Sequence, residues 1–210
     1  MKNIAVFASG GGSNFRSIHH HVQSGNIPGN IVLTVSNNRD SGAIKYARSN
    51  NIATLIINKV RYPNPVDREE LLIQTLREHE VNLICLAGYM KLLPKNIVHH
   101  YQNCILNIHP ALLPQFGGKG FHGIKVHEEV IASGVPNSGA TVHFVDEEYD
   151  HGKIIAQESI EVRSEDTVET LAERVLKIEH ELYPQVIKAF CEDRVVWENN
   201  HPKIEVTIGN

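Results

Sequence analysis

The fold class is set near the start of the chain, by the stretch Ile4-Ala5-Val6-Phe7-Ala8-Ser9-Gly10-Gly11-Gly12-Ser13-Asn14. The five apolar residues predict a buried strand, the three glycines a tight loop, and the residues after them the first turn of a helix. Backbone N–H groups and the dipole at such a helix N-terminus attract an anion, and glycine lets the main chain approach it closely. The stretch therefore predicts an α/β fold with an anion site in its first loop, to which Ser13 and Asn14 add side-chain donors.

This glycine loop differs from two common nucleotide-binding loops. A dinucleotide-binding loop would have a third glycine in place of Phe15 and an acidic residue about 20 residues further on. The second predicted strand ends instead in Ser36-Asn37-Asn38-Arg39. A nucleotide P-loop would contain Gly-Lys-Ser/Thr, and this loop has no lysine. We therefore interpret the loop as a binding site for a single phosphate group. The alternative is a tight turn that binds no ligand.

Short β-branched runs alternate with longer amphipathic stretches in the first half of the chain, which predicts a doubly wound, mostly parallel α/β sheet. The predicted strands lie at residues 4–8, 31–36, 54–57, 83–86 and 105–109, and the predicted helices at 14–24, 41–51, 67–79 and 94–101. Asp67 is the predicted cap of the third helix. Beyond residue 110, adjacent β runs at 140–145 and 154–162 predict an antiparallel addition, followed by a long helix at 167–190. Loops at the carboxyl ends of the parallel strands are where a site is expected.

Size and composition predict a single domain at 1–210 that acts on small molecules. The chain has 210 residues, a net charge of −4 and a pI near 6.3, so no positive field attracts nucleic acid or an anionic membrane. Its three cysteines are an odd number, and two lie in apolar runs, which indicates a reducing compartment. Because we find no signal-peptide core and no run of roughly 18 apolar residues, we expect a cytoplasmic protein.

Asn107 and His109 stand two residues apart where the fifth predicted strand ends, so their side chains point to the same face. An amide donor beside an imidazole suits stabilising an oxyanion and moving a proton, with a structural hydrogen-bonding role as the alternative. A later segment ends in the acidic turn Asp146-Glu147-Glu148-Tyr149-Asp150-His151-Gly152. Asp150 is best placed in this turn to point inward, where its charge would raise the pKa of His109.

Six motifs fall in the order and spacing of one enzyme family and cover essentially the whole chain. They are Ser9-Gly10-Gly11-Gly12-Ser13-Asn14, Leu86-Ala87-Gly88-Tyr89-Met90, Asn107-Ile108-His109-Pro110 with Leu112-Leu113-Pro114, Val142-His143-Phe144-Val145, Tyr149-Asp150-His151-Gly152, and Glu179-His180 before Tyr183-Pro184. In these motifs the chain resembles the phosphoribosylglycinamide formyltransferases, a family of folate-dependent enzymes of purine synthesis. The stretch 115–122 is longer and richer in glycine than in better-known members, so we carry over no contacts for it and predict a mobile lid at 116–121.

The resemblance implies a Rossmann-like formyltransferase domain, in which residues 1–110 bind a phosphate and residues 111–210 complete the folate and catalytic site. It implies direct formyl transfer from the cosubstrate 10-formyltetrahydrofolate to the amine of N1-(5-phospho-D-ribosyl)glycinamide, the ribotide, without a metal. It assigns catalysis to Asn107, His109 and Asp150. The residues implied in binding are Gly12, Ser13, Asn14 and Glu179 for the ribotide, and Met90, Lys91, Leu92, Leu93 and Asn107 for the folate, with Arg68 as a candidate at the folate tail.

Several alternatives accompany this interpretation. The runs His19-His20-His21 and His99-His100 suggest a metal site, but consecutive helical residues point in different directions and no known ligand spacing is present. Methionyl-tRNA formyltransferase and formyltetrahydrofolate hydrolase share the catalytic core, but each carries a further domain for which we expect no room in 210 residues. A noncatalytic phosphosugar-binding module would tolerate loss of the catalytic trio. The sequence is compatible with a monomer or a homodimer.

Overall fold

The structure, a computed structural model, describes residues 1–205 of the chain. It contains two compact units, Met1–Leu106 and a second that begins at Asn107. The boundary between the units therefore lies within the fifth strand, slightly before the division at residue 110 that the sequence suggested. That the chain functions as one domain remains a prediction.

The first unit is a parallel sheet with helices between its strands. Its elements in chain order are β1 (Lys2–Phe7), α1 (Ser13–Gln23), β2 (Gly29–Ser36), α2 (Gly42–Ser49), β3 (Ala53–Ile56), α3 (Pro65–Glu78), β4 (Leu83–Leu86) and α4 (Lys95–His100). The strand order is β3-β2-β1-β4, with parallel pairing throughout. All residues of β4 are buried, as expected for a strand covered on both faces. Because the strands are parallel, the segments that follow β1, β2 and β4 meet at one edge of the sheet.

Side-chain caps explain where two helices of this unit begin. The Ser41 hydroxyl accepts a hydrogen bond from the Ile44 N–H at 3.2 Å and caps α2. The Asn64 side chain accepts one from the Val66 N–H at 3.0 Å and caps α3. The prediction that Asp67 caps this helix is therefore wrong. Pro65 begins α3 earlier, since proline suits the first helical turn, and Asp67 lies inside that turn.

The second unit combines an antiparallel pair of strands with two helices. After β5 (Ile105–His109), which begins in the first unit, come α5 (Ile124–Ser133), β6 (Asn137–Phe144), β7 (Ile154–Glu161), α6 (Val168–Cys191), β8 (Val195–Glu198) and β9 (His201–Ile204). β6 and β7 pair antiparallel, as predicted. Together with the parallel strands of the first unit, this pairing confirms the predicted fold class. The separate β8–β9 hairpin was not predicted.

α6 supplies much of the apolar core of the second unit. It begins after Thr167, which forms a capping box with Thr170. Its apolar stripe includes Leu171 and Val175, which are both fully buried. The helix continues past Pro184 to Cys191 and has 24 residues. Neither α6 nor any other helix within residues 1–205 combines the length and apolar content needed to cross a membrane.

Candidate active site

Three polar side chains of the second unit meet around the carboxylate of Asp150. His109 Nδ1 lies 3.5 Å from Asp150 Oδ2, and the Asn107 amide donates a hydrogen bond to Asp150 Oδ1 at 3.3 Å. His143 Nε2 lies 3.7 Å from the same Oδ1. The side chains of His109, His143 and Asp150 are only 4%, 2% and 10% exposed. The structure thus places the three predicted catalytic residues side by side and adds a second histidine to them.

Two backbone segments produce this arrangement. Asn107 and His109 alternate with Ile108 on β5, as the spacing predicted. Asp150 lies in the turn after β6 with a φ of 53°, in the left-handed region that residues other than glycine rarely adopt. A Cβ at Gly152 would lie 1.9 Å from the Phe144 carbonyl oxygen. The turn that carries Asp150 therefore packs so closely on the end of β6 that position 152 requires glycine.

His143 is the functional candidate that the sequence did not assign. Its Nδ1 lies 2.7 Å from the carbonyl oxygen of Phe144, which can only accept, so Nδ1 carries the proton of the neutral imidazole. Its Nε2 then accepts a hydrogen bond from the Asn107 amide at 3.0 Å. The signal in the sequence is a histidine within the apolar strand Val142-His143-Phe144-Val145, which was quoted as a motif without a role. A buried polar residue on such a strand needs a partner, and here that partner is Asn107.

Both N–H groups of the Asn107 side chain are engaged by neighbouring acceptors. Its Nδ2 donates to His143 Nε2 at 3.0 Å and to Asp150 Oδ1 at 3.3 Å, which accounts for both of its N–H bonds. Because both neighbours are acceptors, the Nδ2 atom of the amide, and not its oxygen, must face them. A substrate oxyanion would therefore have to replace one of them, and the longer bond to Asp150 is the easier one to exchange.

His109 has one imidazole nitrogen bound to the glycine-rich loop. Its Nε2 lies 2.8 Å from the Phe116 carbonyl oxygen, so Nε2 carries the proton of the neutral ring and Nδ1 presents its lone pair on the side of Asp150. Burial lowers the pKa of His109. The charge of Asp150 and the hydrogen bond to the Phe116 carbonyl each raise this pKa, but by less than burial lowers it. The expected net rise in this pKa is wrong, because desolvation of a buried imidazolium outweighs the nearby carboxylate.

Asp150 is held in its ionised form. Burial by itself would raise the pKa of this carboxyl group, but the imidazoles of His143 and His109 and the Gly118 N–H together lower it below the usual value. The Gly118 N–H donates to Asp150 Oδ2 at 3.0 Å. An aspartate and a neutral imidazole therefore face each other at neutral pH, an arrangement suited to proton transfer. Residues 116–118 contact both groups, and the mobility of that loop remains a prediction.

In the first unit, the glycine loop after β1 leaves open space beside Gly10 and Gly11, the two residues that precede the predicted phosphate-binding residues. A Cβ at Gly10 or Gly11 would meet no atom within 4 Å. Gly12 has a φ of 79° and directly precedes α1, whose first residue is the exposed Ser13. The side chain of Asn14 is buried. An open glycine loop that leads into a helix of 11 residues suits an anion.

A cavity of about 610 Å³ lies in the same unit. Three of the residues predicted to bind folate, Arg68, Lys91 and Leu92, line this cavity. Met90 is 40% exposed, whereas Leu93 is 5% exposed and belongs to the core. The predicted folate residues are therefore divided between a cavity wall, a surface position and the interior of the unit.

Residues 2–187 match a family model described as formyl transferase. The chain belongs to the formyl transferase family. The chloroplastic phosphoribosylglycinamide formyltransferase of Arabidopsis thaliana is 50% identical to it over 206 residues, which are 97% of this chain and 70% of that protein. The phosphoribosylglycinamide formyltransferase of Bacillus subtilis is 42% identical over 188 residues, 90% of this chain and 94% of that one. The crystal structure of glycinamide ribonucleotide transformylase 1 from Symbiobacterium toebii has a TM-score of 0.89 and 36% identity, and the match covers 97% of this chain and 94% of that chain.

In this formyl transferase, Glu179 of α6 is 7% exposed. Glu179 is therefore not a solvent-facing acid, although that is what an acidic residue on an amphipathic helix usually is. α6 packs against both α5 and β6, so more than one side of it is covered. A carboxylate buried within the second unit, and not on its surface, is a candidate for binding a ligand.

His127 is a second buried imidazole of the formyl transferase that the sequence did not single out. It lies on α5, is 4% exposed, and its Nδ1 has no hydrogen-bond partner in the described part of the chain. Burial, and then the nearby charge of His109, lower the pKa of His127 to about 4. His127 is therefore neutral at physiological pH, and its protonation would place a buried positive charge near His109.

Within residues 1–205 of this formyl transferase, no group of three or more His, Cys, Asp or Glu side chains is placed to hold a metal ion. The adjacent histidines of α1 illustrate why the sequence pattern was misleading. His19 is buried and its Nδ1 lies 2.9 Å from the Tyr46 hydroxyl, whereas His20 is exposed. Consecutive side chains on this helix thus point to different surroundings.

Proposed function

We propose that the chain transfers the formyl group of 10-formyltetrahydrofolate to the amine of N1-(5-phospho-D-ribosyl)glycinamide in de novo purine (IMP) biosynthesis. The products are the N-formyl ribotide and tetrahydrofolate. The observation that carries the proposal is the buried cluster in which Asn107, His109 and Asp150 lie within hydrogen-bond or ion-pair distance of one another. It is supported by relatives named phosphoribosylglycinamide formyltransferase that are 50% and 42% identical to the chain.

The proposed reaction is a direct transfer that needs no protein nucleophile. The amine nitrogen of the ribotide attacks the formyl carbon, and the carbonyl oxygen becomes an oxyanion that accepts a hydrogen bond from Asn107. The attacking nitrogen gives up a proton to His109 Nδ1, with Asp150 stabilising the imidazolium that forms. The bond from carbon to N10 of the folate then breaks, and the proton passes to N10. Nδ1 takes this role because Nε2 is engaged by the Phe116 carbonyl.

We assign substrate binding in the first unit to the glycine loop and the cavity. Gly12, Ser13 and Asn14 would bind the ribotide phosphate, since backbone donors and the N-terminus of α1 are available there. In the second unit, the buried Glu179 would contact the ribotide. Holding two substrates in a reactive orientation can contribute about 7–11 kcal/mol to catalysis, so such contacts act on rate as well as on affinity.

Folate binding is assigned to Met90, Lys91, Leu92 and Leu93, with Asn107 in the second unit. Lys91 and Arg68 line the cavity and would attract the carboxylates of the folate tail. Arg68 donates from Nη1 to the carbonyl oxygens of Tyr62 and Pro63 at 2.6 and 2.8 Å. These contacts hold its guanidinium in place and leave further N–H groups for a ligand.

We further propose that the protein works on these small molecules in the cytoplasm, as a monomer or a homodimer. None of its three cysteines, all within the described residues, forms a disulfide, which is consistent with a reducing compartment. The relative from Arabidopsis thaliana is named chloroplastic, so the compartment should be tested by cell fractionation. Light scattering of the purified protein tests whether it is a monomer or a homodimer.

The test of function is an assay with purified protein, 10-formyltetrahydrofolate and the ribotide, followed through the absorbance of the folate. We expect the absorbance to change only when the ribotide is present. A change without the ribotide would indicate hydrolysis of the formyl group instead, and no change in either mixture would indicate a binding protein. The Asp150→Asn variant is the control for a contaminating enzyme, because it should lose the signal while remaining folded.

A further inference from the structure

The Ser9 hydroxyl lies where three parallel strands of the first unit end. It donates a hydrogen bond to Asn37 Oδ1 at 2.5 Å and accepts one from the Met90 N–H at 2.8 Å. The Ser9 N–H also donates to the Gly88 carbonyl at 3.0 Å. Ser9 follows β1, Asn37 follows β2, and Met90 belongs to the segment after β4. One side chain therefore joins three segments beyond the ends of their strands.

We propose that Ser9 is a positioning residue that couples the two substrate-binding segments of the first unit. These segments are the glycine loop at 10–14, which follows Ser9 directly, and the segment at 90–93, whose first N–H is bound by the Ser9 hydroxyl. The inference rests on the proposed function, because that function assigns the ribotide phosphate to the first segment and the folate to the second. Ser9 itself would touch neither reacting group.

The first two glycines of the loop have no side-chain packing of their own, although Gly12 packs closely against Ala43 and the Gly11 backbone against Gly42. Gly10 and Gly11 lack side chains, and a Cβ at either position would meet no atom within 4 Å. The Gly10 carbonyl accepts a hydrogen bond from the Ala43 N–H at 3.2 Å. Glycine has more conformational freedom than any other residue, so the direction in which the loop leaves β1 depends on how Ser9 is held. Two side-chain bonds and one backbone bond at Ser9 supply that constraint.

The segment at 90–93 depends on the same hydroxyl. β4 ends at Leu86, and Gly88 then turns the chain with a φ of 75°. The Met90 N–H consequently lies outside the strand ladder, and the Ser9 Oγ accepts its hydrogen bond. Lys91 and Leu92, the next residues, line the cavity. A shift of the backbone at Met90 would therefore move two residues of the cavity wall.

The network continues from Ser9 along that wall. The Asn37 carbonyl accepts a hydrogen bond from the Asn58 side chain at 3.0 Å. Asn58 Oδ1 accepts in turn from the Val60 N–H at 3.1 Å. Asn37, Asn58 and Val60 all line the cavity, so the hydrogen bonds that begin at Ser9 reach three residues of its wall. Removing the Ser9 hydroxyl interrupts this network at the point where it meets the loop.

The experiment measures binding of the ribotide and of tetrahydrofolate to the wild-type chain and to Ser9→Ala, each ligand alone and in the presence of the other. This pair of ligands lacks the formyl group and cannot react. The wild-type chain should bind each ligand more tightly when the other is present, by the same factor for both. Ser9→Ala should weaken both affinities by about five- to thirty-fold, through loss of two hydrogen bonds, and bring the coupling factor close to one. A purely structural role would lower the melting temperature without changing the coupling factor.

Ser24→Ala is the matched control, because its hydroxyl donates to the His21 carbonyl at 3.2 Å at an exposed position of the same unit. This control should bind both ligands like the wild-type chain. If Ser9→Ala does not fold, Asn37→Ala tests the same claim, since it removes one partner of Ser9 and leaves the Met90 bond. Asn37→Ala should reduce the coupling factor less than Ser9→Ala does, and a coupling factor equal to that of the wild-type chain would overturn the proposal.

The outcomes separate this inference from the proposed function. If the wild-type chain forms no formylated ribotide, the proposed function fails. If it forms the product but Ser9→Ala binds both ligands with unchanged affinity and coupling, the role of Ser9 is overturned while the function stands. A loss of affinity for one ligand only would also overturn the coupling, because a residue that joins the two segments must affect both.

Discussion

The pKa of His109 is set by two opposing effects, burial and the polar groups that surround the imidazole. Burial penalises the imidazolium, whereas Asp150 and the Phe116 carbonyl favour it, and burial prevails so that the pKa of His109 lies below 6.5. A neutral imidazole can accept a proton from the attacking amine, which an imidazolium cannot. In the proposed reaction, His109 can therefore act first as a base, and the proton that it gains would make it the acid of the next step.

The protonation of His109 can be followed directly by NMR titration of histidine ring signals. We expect a pKa for His109 below 6.5 in the wild-type chain and a still lower one in Asp150→Asn, because the substitution removes the charge that raises it. His109→Asn identifies the signal. A pKa above 6.5 in the wild-type chain would show that the carboxylate, and not burial, dominates at this site.

Turnover is expected to depend strongly on the charge of Asp150. Asp150→Asn keeps the size of the side chain but removes the charge that stabilises the imidazolium, so kcat should fall by about 10²–10⁴-fold with a smaller change in KM. Asp146→Asn is the control in the same turn, because the side chain of Asp146 is 40% exposed and contacts His151. It should retain turnover within a few-fold of the wild-type value. Comparable losses in the two variants would mean that the turn, and not the charge of Asp150, is what matters.

The turn between β6 and β7 shows how a backbone element determines the position of Asp150, the carboxylate of the proposed catalytic cluster. Asp150 adopts a left-handed conformation, and Gly152 lies in direct contact with the end of β6. Sequence reasoning selected Asp150 from four acids because it precedes His151-Gly152. It could not show why glycine is needed at position 152, since that depends on the distance to Phe144, a residue of another segment.

Gly152→Ala should therefore damage both stability and activity. Its Cβ would lie 1.9 Å from the Phe144 carbonyl oxygen, so the turn must move and Asp150 must move with it. We expect a loss of about 1–3 kcal/mol in the free energy of unfolding, measured in urea, and a fall in kcat. Gly10→Ala serves as the stability control, because its Cβ would meet no atom within 4 Å. Equal stabilities of the two variants would contradict the packing argument.

α5 carries a further buried imidazole, His127, whose low pKa makes the stability of the fold depend on pH. Its pKa of about 4 in the folded chain lies below the unfolded value of 6.5, so the unfolded chain binds more protons between these pH values. Stability should therefore be complete above pH 6.5 and decrease as the pH falls toward 4, by up to about 3 kcal/mol from this group.

His127→Leu should remove this contribution. Urea unfolding at about pH 7.5 and about pH 4.5 should show a smaller loss of stability on acidification than in the wild-type chain, by about 2–3 kcal/mol. His201→Gln, at an exposed position of β9, should leave the loss unchanged. The explanation would be contradicted if His127→Leu lost as much stability as the wild-type chain between the two pH values.

The chain as a whole is most predictable where its pattern is local. Alternation of apolar runs and amphipathic stretches predicted β4 and β5 with their observed bounds, because buried strands are read from a few consecutive residues. The β8–β9 hairpin was missed, since each strand has four residues and its support is tertiary, including Trp197 stacked on Phe144. The start of α3 was misplaced because Asp67 was preferred to Asn64 as its cap.

The candidate site was predictable to the extent that its residues lie in strand or turn motifs. Asn107 and His109 could be paired from their spacing, and Asp150 from its turn. The role of His143 could not be predicted, because it depends on the contact between its Nε2 and Asn107. The tautomer of His109 could not be predicted either, because it depends on the Phe116 carbonyl, and every residue has a carbonyl oxygen that could have been the partner. The net pKa shift of His109 was predicted with the wrong sign, because the degree of burial is a property of the assembled fold.

The most direct test follows the labelled formyl group itself. Purified chain is mixed with the ribotide and 10-formyltetrahydrofolate carrying ¹³C in the formyl group, and the products are measured by mass spectrometry. We predict ¹³C-formylated ribotide in equal amount to the tetrahydrofolate formed, and almost none with Asp150→Asn. Labelled formate without labelled ribotide, or undiminished product from Asp150→Asn, would contradict the proposed transfer and its catalytic cluster.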